Sequence, residues 1–344
     1  MSLYDAYRKS RLLTRCGTIA SGALRLRTPD GAVYHFGTTG PTADLDLRDW
    51  SALATRSLGQ SYAAGLWDSS DLRALTAVIA RNPATFRRTR TRWPVSVSAP
   101  GARFPGNEFF QLWLDPGMSF SSALFEPGQS DLHHAQQLKY DRVLDQLAPG
   151  ARLLDIGCGW GALAERAADR GMNVTGLTRS PGQKGYADAR LDGRAQIHHS
   201  HYPTQADSYD NIVSIEFLNT LAPRMWPGFL AALKARLAEG GRVVLQIITG
   251  SEPGLPTDTM LHQLSTKAGL RITNRFAFGD SYARTCAMWH DQLTRQTARA
   301  RHMGFDTSFQ RQWRFALATA AAGFAAGRLD VVQLTLAHQQ SNAS

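Results

Sequence analysis

With 344 residues, 43% of them hydrophobic and 19% charged, the chain has material for one large domain or two ordinary ones, and its composition excludes a disordered or fibrous protein. No apolar run approaches the roughly 18–20 residues of a spanning helix, the N-terminal "MSLYDAYRKSRLLTRCG" lacks an apolar signal core, and Cys16, Cys158 and Cys286 are too scattered for a disulfide framework or a metal cluster, so a cytoplasmic protein without a metal is expected. The net charge of +10 is uneven: residues 1–103 hold 15 Lys/Arg against 7 Asp/Glu, and residues 104–344 hold 23 against 21. A basic first third suits an anionic partner, either a membrane surface or nucleic acid; a solvated basic face without a partner is the alternative.

In chain order, "ALRLRTPDGAVYHFG" alternates around Pro-Asp-Gly and predicts a hairpin. Asp49 to Ile79 reads as helices broken at Gly59, Gly65 and the Asp68–Asp71 segment, with Asp68, Ser69 or Ser70 as the cap of a helix beginning near Asp71. Residues 87–104, rich in Arg, Ser, Pro and Gly, predict a basic linker. The expected domains are therefore 1–86, a smaller mixed and mainly helical unit, and 105–344.

Beyond the linker, strands and helices alternate: "ARLLDIGCGWG", "ALAERAADRG", "NVTGLT", "PGQKGYADARLDG", "AQIHHS", "YDNIVSIE", "PGFLAALKARLAEGG", "RVVLQIIT". That order predicts right-handed crossovers and a doubly wound, Rossmann-like parallel α/β sheet. Its fourth strand, "DNIVSIE", runs out into Phe217-Leu218-Asn219-Thr220, where sheets of this kind place their chemistry.

The first strand ends in Asp155, followed by Gly157, Gly159 and Gly161 before a helix. Glycines allow close backbone approach, and the helix start offers free N–H groups. The dinucleotide fingerprint needs G-x-G-x-x-G and a later acid; here the spacing is G-x-G-x-G and the second strand ends in Thr178-Arg179, which disfavours NAD. An acid before G-x-G-x-G is instead the signature of class I methyltransferases that use S-adenosylmethionine (SAM).

The Trp within "DIGCGWGALAERAA", with "VTGLTRSPGQ" after it, closely resembles the cyclopropane fatty acid synthase and mycolic acid cyclopropane synthase family. "SLGQSYAAGLWDSSDLRAL", "GNEFFQLWLDPGMSFSSALFE", "DLHHAQQLKYDRVLDQLAPG", "DSYARTCAMWHDQL" and the closing "GFDTSFQRQWRFALATAAAGFAAGRLDVVQLTL" extend the likeness over about residues 45–336. The resemblance implies methyl transfer from SAM to the double bond of an unsaturated acyl chain, in a phospholipid, with residues 1–86 as a lipid-binding domain on an anionic membrane surface. It implies a peripheral location at the inner membrane and leaves a homodimer open; with no NPPY-type motif, and the basic residues in the linker and the lipid-binding pattern, no nucleic-acid partner is expected.

For the cofactor, the resemblance implies Phe120, Ser121, Gly157, Gly159, Thr178 and Gln183, with Asp155 anchoring the loop and the cofactor's ammonium. "HSHYPTQ" puts His201 where the family has Asp before its Tyr, here Tyr202. Family members hold a bicarbonate ion that removes a proton from the new methyl, using a Cys, a Glu-His pair, a downstream His and a Tyr. Here those positions are Ser122, Asn219 with Thr220, a shortened "GSEPGLPT" without His, and the retained Tyr282, so a bicarbonate requirement is doubtful. The family's "HYD" is replaced by "ARF" at 102–104. Ser122 and Asn219 can donate hydrogen bonds to an anion, but neither is a useful base. Glu216 matches a position that the family also often fills with Glu; it is a base only if it reaches the acyl chain, and holding the SAM amino group or a loop backbone is its other role. None of His198, His199, His201 and His262 falls on a family base position, and Trp289 and Trp313 read as core before tunnel lining.

Catalytic candidates are therefore Tyr282, Asn219, Ser122 and Glu216, and the expected product is a cyclopropane or a methyl- or methylene-branched chain, a diene-derived one included. A catalytically degenerate homologue that binds lipid or SAM beside an active partner is the competing expectation.

Overall fold

The computed structural model describes residues 2–40, 42–55, 57–86, 105–200 and 207–339; the expected linker 87–104 and residues His201 and Tyr202 lie outside them. The chain divides into two compact units, Met1–Phe104 with Cys286–Arg328, and Pro105–Thr285 with Leu329–Ser344.

The first unit opens with α1 (Leu3–Cys16), whose N-cap Ser2 accepts from the Asp5 N–H. Strands β1 (Gly22–Arg27) and β2 (Val33–Thr39) form the expected antiparallel hairpin, with Arg27 opposite Val33. Strand β3 (Thr42–Leu47) lies parallel to β1. Then come α2 (Leu58–Ala63), β4 (Trp67–Asp68) and α3 (Leu72–Arg81), giving the sheet order β2-β1-β3-β4. The cap of α3 is Asp71, not Asp68, Ser69 or Ser70: the Asp71 carboxylate accepts from the Ala74 N–H at 3.0 Å. The earlier residues are already committed, Asp68 to β4 opposite Asp46, and Ser70 to Asp44.

The second unit runs through α4 (Asn107–Phe110), α5 (Leu132–Asp145), β5 (Arg152–Ile156), α6 (Ala162–Asp169), β6 (Asn173–Thr178) and α7 (Pro181–Leu191). It continues with β7 (Ala195–His199), β8 (Tyr209–Ile215), α8 (Trp226–Arg236), β9 (Leu237–Gly250), α9 (Asp258–Lys267) and β10 (Leu270–Ala277). Helix α10 (Gly279–Arg295) begins here; α11 (Thr297–His302) and α12 (Thr307–Ala325) belong to the first unit, and β11 (Leu329–His338) returns to the sheet.

The seven strands lie in the order β10-β11-β9-β8-β5-β6-β7. Strands β5 to β9 are parallel, as the alternation predicts, and β11 runs antiparallel between β9 and β10. Strand β10 was not legible: as an edge strand it is largely exposed and shows no clean two-residue period. The strand order reverses beside β5, so the loops after β5 and β8 open together at the switch point. Beneath them, Leu154, Ile156, Ile212, Phe229, Leu245 and Val332 form part of the buried core.

The grouping of Cys286–Arg328 with the N-terminal residues differs from an uninterrupted unit over 105–344, and its cause is α12. Phe315 and Ala318 join the core built by α1 to α3 and the small sheet. Gly59 on α2 makes room: a Cβ there would stand 2.8 Å from the Phe315 ring. The buried Arg311 fixes the register, donating to the Tyr62 and Trp67 carbonyls and to Asp68 at 3.1 Å. Trp289 and Trp313 are buried, in keeping with core packing. Among the described residues no helix is long and apolar enough to cross a membrane.

Candidate active site

The glycine loop follows directly from its sequence. Gly157, Gly159 and Gly161 take φ of 82°, 57° and 86°, left-handed values that other residues adopt at a cost. A Cβ on Gly159 would meet no atom within 4 Å, so open space lies against the backbone there. Asp155, at the end of β5, is 1% exposed, and its Oδ2 has no hydrogen-bond partner among the described residues. Burial pushes its pKa up to about 7, opposed by the Lys139 charge. A buried acceptor beside an open glycine cradle is what a ligand carrying an ammonium would complete, and SAM carries one. The residues present therefore fit SAM.

The other positions expected to hold it gather around this loop. Ser121 is buried, its Oγ accepting from Lys139 Nζ at 2.8 Å while its carbonyl accepts from Gln136 Nε2. Phe120 is 38% exposed and packs on Phe110 and Trp113, with centroids 5.5 and 5.6 Å apart. Thr178 and Gln183 are joined to each other, the Thr178 hydroxyl donating to Oε1 at 2.8 Å. Asn107, in the "GNEFF" stretch, accepts from Trp160 Nε1 at 2.8 Å and donates to the Gly182 carbonyl at 3.0 Å. It thereby ties α4 to both the glycine loop and the start of α7.

The loop after β8 is built differently. Asn219 is buried, and its amide pairs with the backbone of Ile248 on β9, donating and accepting at 2.8 Å each. Thr220 donates to the Phe217 carbonyl and accepts from Arg179 at 3.0 Å. Both expected anion-holding positions are thus engaged in closing the loop. Glu216 takes φ of 56°, outside the range ordinary residues favour. Its Oε1 accepts from the Ser122 N–H at 2.9 Å and Gln246 Nε2 at 2.8 Å; its Oε2 accepts from the Tyr282 hydroxyl at 2.6 Å. Desolvation raises its pKa, and hydrogen bonds from Tyr282, Ser122 and Gln246, with the Lys139 charge, oppose the rise. The residue is deep yet retains some accessible surface. The Ser122 hydroxyl itself donates to the Ala123 carbonyl.

The geometry brings Glu216, Ser122 and Tyr282 together, and places Asn219 on the backbone of β9. The segment bearing Ser122 is held by α10, since Ala123 N–H donates to Thr285 Oγ1 and Phe125 N–H to Ser281 Oγ, both at 3.1 Å. His198 and His199 lie on β7 and His262 on α9, and His199 Nε2 meets the Arg179 carbonyl at 3.0 Å.

Lys139 was not singled out from sequence, yet it is wholly buried among Glu216, Asp115 and Asp155. Burial pulls its pKa down to about 7, and those carboxylates oppose the shift. Its signal was present: Ala135, Gln136, Lys139, Tyr140 and Val143 recur at helical spacing, so Lys139 lies in the buried stripe of α5. Gln246 carried a similar signal, as a lone polar residue inside the apolar "VVLQIIT".

Comparison with known proteins agrees with this arrangement. The sequence pattern of the family described as mycolic acid cyclopropane synthetase matches residues 105–255 and 252–334. Tuberculostearic acid methyltransferase UfaA1 of Mycobacterium tuberculosis (strain ATCC 25618 / H37Rv) is 31% identical, over 95% of this chain and 90% of the relative. The solved cyclopropane synthase MmaA2 from Mycobacterium tuberculosis superposes with a TM-score of 0.63 at 30% identity, covering 67% of this chain and 93% of the other. Mycolic acid cyclopropane synthase CmaA1, complexed with SAH and CTAB, gives 0.64 at 26% identity, over 67% and 93%. With its glycine loop, switch-point sheet and near full-length relative, the chain belongs to the mycolic acid cyclopropane synthetase family of SAM-dependent methyltransferases.

Proposed function

We propose that the protein is a SAM-dependent C-methyltransferase acting on the double bond of an unsaturated fatty acyl chain in a phospholipid, giving a cyclopropane or a methyl- or methylene-branched product. The single observation that carries this reading is the pairing of an open cofactor loop, with the orphaned Asp155 Oδ2, and a carboxylate–phenol pair, Glu216 and Tyr282, at the adjoining strand end. SAM, when bound, supplies an electrophilic methyl group. Asp155 holds its ammonium, the backbone of Gly157 and Gly159 lies against it, and Phe120, Ser121, Thr178 and Gln183 complete its surroundings. Lys139 offsets the carboxylates and orients the Ser121 hydroxyl. Around the reacting chain, Ser122, Tyr282 and Glu216 form the polar end of the site, with Asn219 keeping its loop in place.

The N-terminal unit supports the lipid half of the reading. It contains a cavity of about 330 Å³ whose lining includes Leu47, Trp67 and Leu75, with Arg8, Arg11 and Arg15 contributed by α1. An apolar recess beside arginines suits an acyl chain with an anionic headgroup, and so a peripheral position on an anionic membrane. The test is incubation with methyl-labelled SAM and vesicles of unsaturated anionic phospholipid, followed by mass spectrometry of the acyl chains. A gain of 14 mass units per chain with unlabelled SAM supports the reading. A SAM- and lipid-binding homologue without turnover is the second reading, favoured by the closure of Asn219 and Thr220 on backbone. Binding of both ligands with no change in the lipid selects it.

A further inference from the structure

Three donors from three parts of the fold converge on the Glu216 carboxylate: the Ser122 N–H, the Gln246 amide of β9 and the Tyr282 hydroxyl of α10. The residue takes a left-handed backbone there, φ 56°, a conformation unfavourable for a non-glycine residue. Two of the donors, Ser122 and Tyr282, occupy the positions whose resemblance implies contact with a diffusible bicarbonate. In this molecule the anion already between them is the chain's own. A phenol has one O–H and a peptide one N–H, so neither can serve Glu216 and a second anion in full.

We infer that Glu216 is a built-in replacement for bicarbonate, so that proton removal in this enzyme needs no dissolved anion. The inference rests on the methyl-transfer reading above. Oε1 accepts two hydrogen bonds and Oε2 accepts one among the described residues, which leaves a lone pair on Oε2 for the incoming proton. After methyl delivery the acyl chain carries one positive charge. A C–H bond then breaks, its electron pair closes the ring or forms a new double bond, and the proton passes to Oε2. Cation and carboxylate become a neutral lipid and a neutral carboxylic acid, which releases its proton to water before the next turnover.

The full chain is assayed with methyl-labelled SAM and unsaturated phospholipid vesicles, in buffer stripped of carbon dioxide and again with added bicarbonate. The expected wild-type rate changes less than twofold between them. Glu216→Gly relieves the left-handed backbone and opens space for an ion; it is expected to fall on the order of 100-fold or more and to recover with bicarbonate or formate. Glu216→Gln retains the shape, and its expected loss is not rescued. Binding is read separately by NMR of ¹³C-bicarbonate, which should associate with Glu216→Gly and not with wild type. A wild-type rate that collapses without bicarbonate, an active Glu216→Gln, or bicarbonate held by wild type and lost in Tyr282→Phe would each overturn the inference. Absence of labelled lipid under every condition defeats the methyl-transfer reading instead, and the binding arm still decides whether Glu216 excludes the ion.

Discussion

Two loops meet at the switch point of the sheet, and they spend their polar groups in opposite ways. After β5 the backbone is open at Gly159, where a Cβ would meet nothing within 4 Å, and among the described residues Asp155 keeps an unsatisfied oxygen. After β8 nearly every polar group is satisfied within the protein: Asn219 by Ile248, Thr220 by Phe217 and Arg179, and Glu216 by three donors. An unpaired buried acceptor is costly unless something binds it. The first loop is therefore shaped for a ligand, whereas the second carries its own anion.

The contrast depends most heavily on Lys139, the buried cation near both loops. Lys139→Met strands the carboxylates of Asp155 and Glu216, and should lower unfolding free energy by about 3 kcal/mol, read by denaturant melts of the full chain. A loss below about 1 kcal/mol would show that the two loops are not electrostatically joined. Gly159→Val places a side chain in the cradle at φ 57°; SAM affinity should fall on the order of 100-fold, about 2.7 kcal/mol by calorimetry. Asn219→Ala leaves the Ile248 N–H and carbonyl unpaired and should cost about 2 kcal/mol of stability, with SAM affinity within about twofold. A large affinity loss there would make the β8 loop part of the cofactor site.

Asp155 sets a pH dependence. Its pKa near 7 means the free protein increasingly holds it protonated below that pH, while an ammonium ligand requires the carboxylate. SAM affinity should accordingly fall as pH drops through 7, by up to about tenfold per unit, with proton release on binding; Asp155→Asn should flatten the profile. Unliganded, the raised pKa also makes stability from this group fall as pH rises from about 4 toward 7. The smallest effect lies in the other unit, where Arg11→Ala should weaken binding to anionic vesicles by about 1 kcal/mol, seen by sedimentation with liposomes.

The sequence made the cofactor half of this site readable because its chemistry is local. Asp155 to Gly161 are consecutive, and the strand–turn–helix context is set by short-range pattern. Glu216 with Ser122 and Tyr282 is a different case, since those residues lie 94 and 66 positions from it in the chain. Single positions could be named, but no periodicity says that they point at one carboxylate, or that Asn219 turns away to bond β9. Lys139 was visible as a charge in an apolar stripe, though what it neutralises came only from the packing. For the same reason, α12 reads as a helix in sequence while its partners, α2 and α3, are more than 200 residues away.

Methyl transfer to lipid is most directly measured with trideuteromethyl SAM, unsaturated phospholipid vesicles and the full chain, by mass spectrometry of the released acyl chains. The expected result is deuterium in the acyl chain, two atoms retained for a cyclopropane or methylene product and three for a methyl branch formed without loss from the new carbon. Bound SAM with unlabelled acyl chains would contradict it.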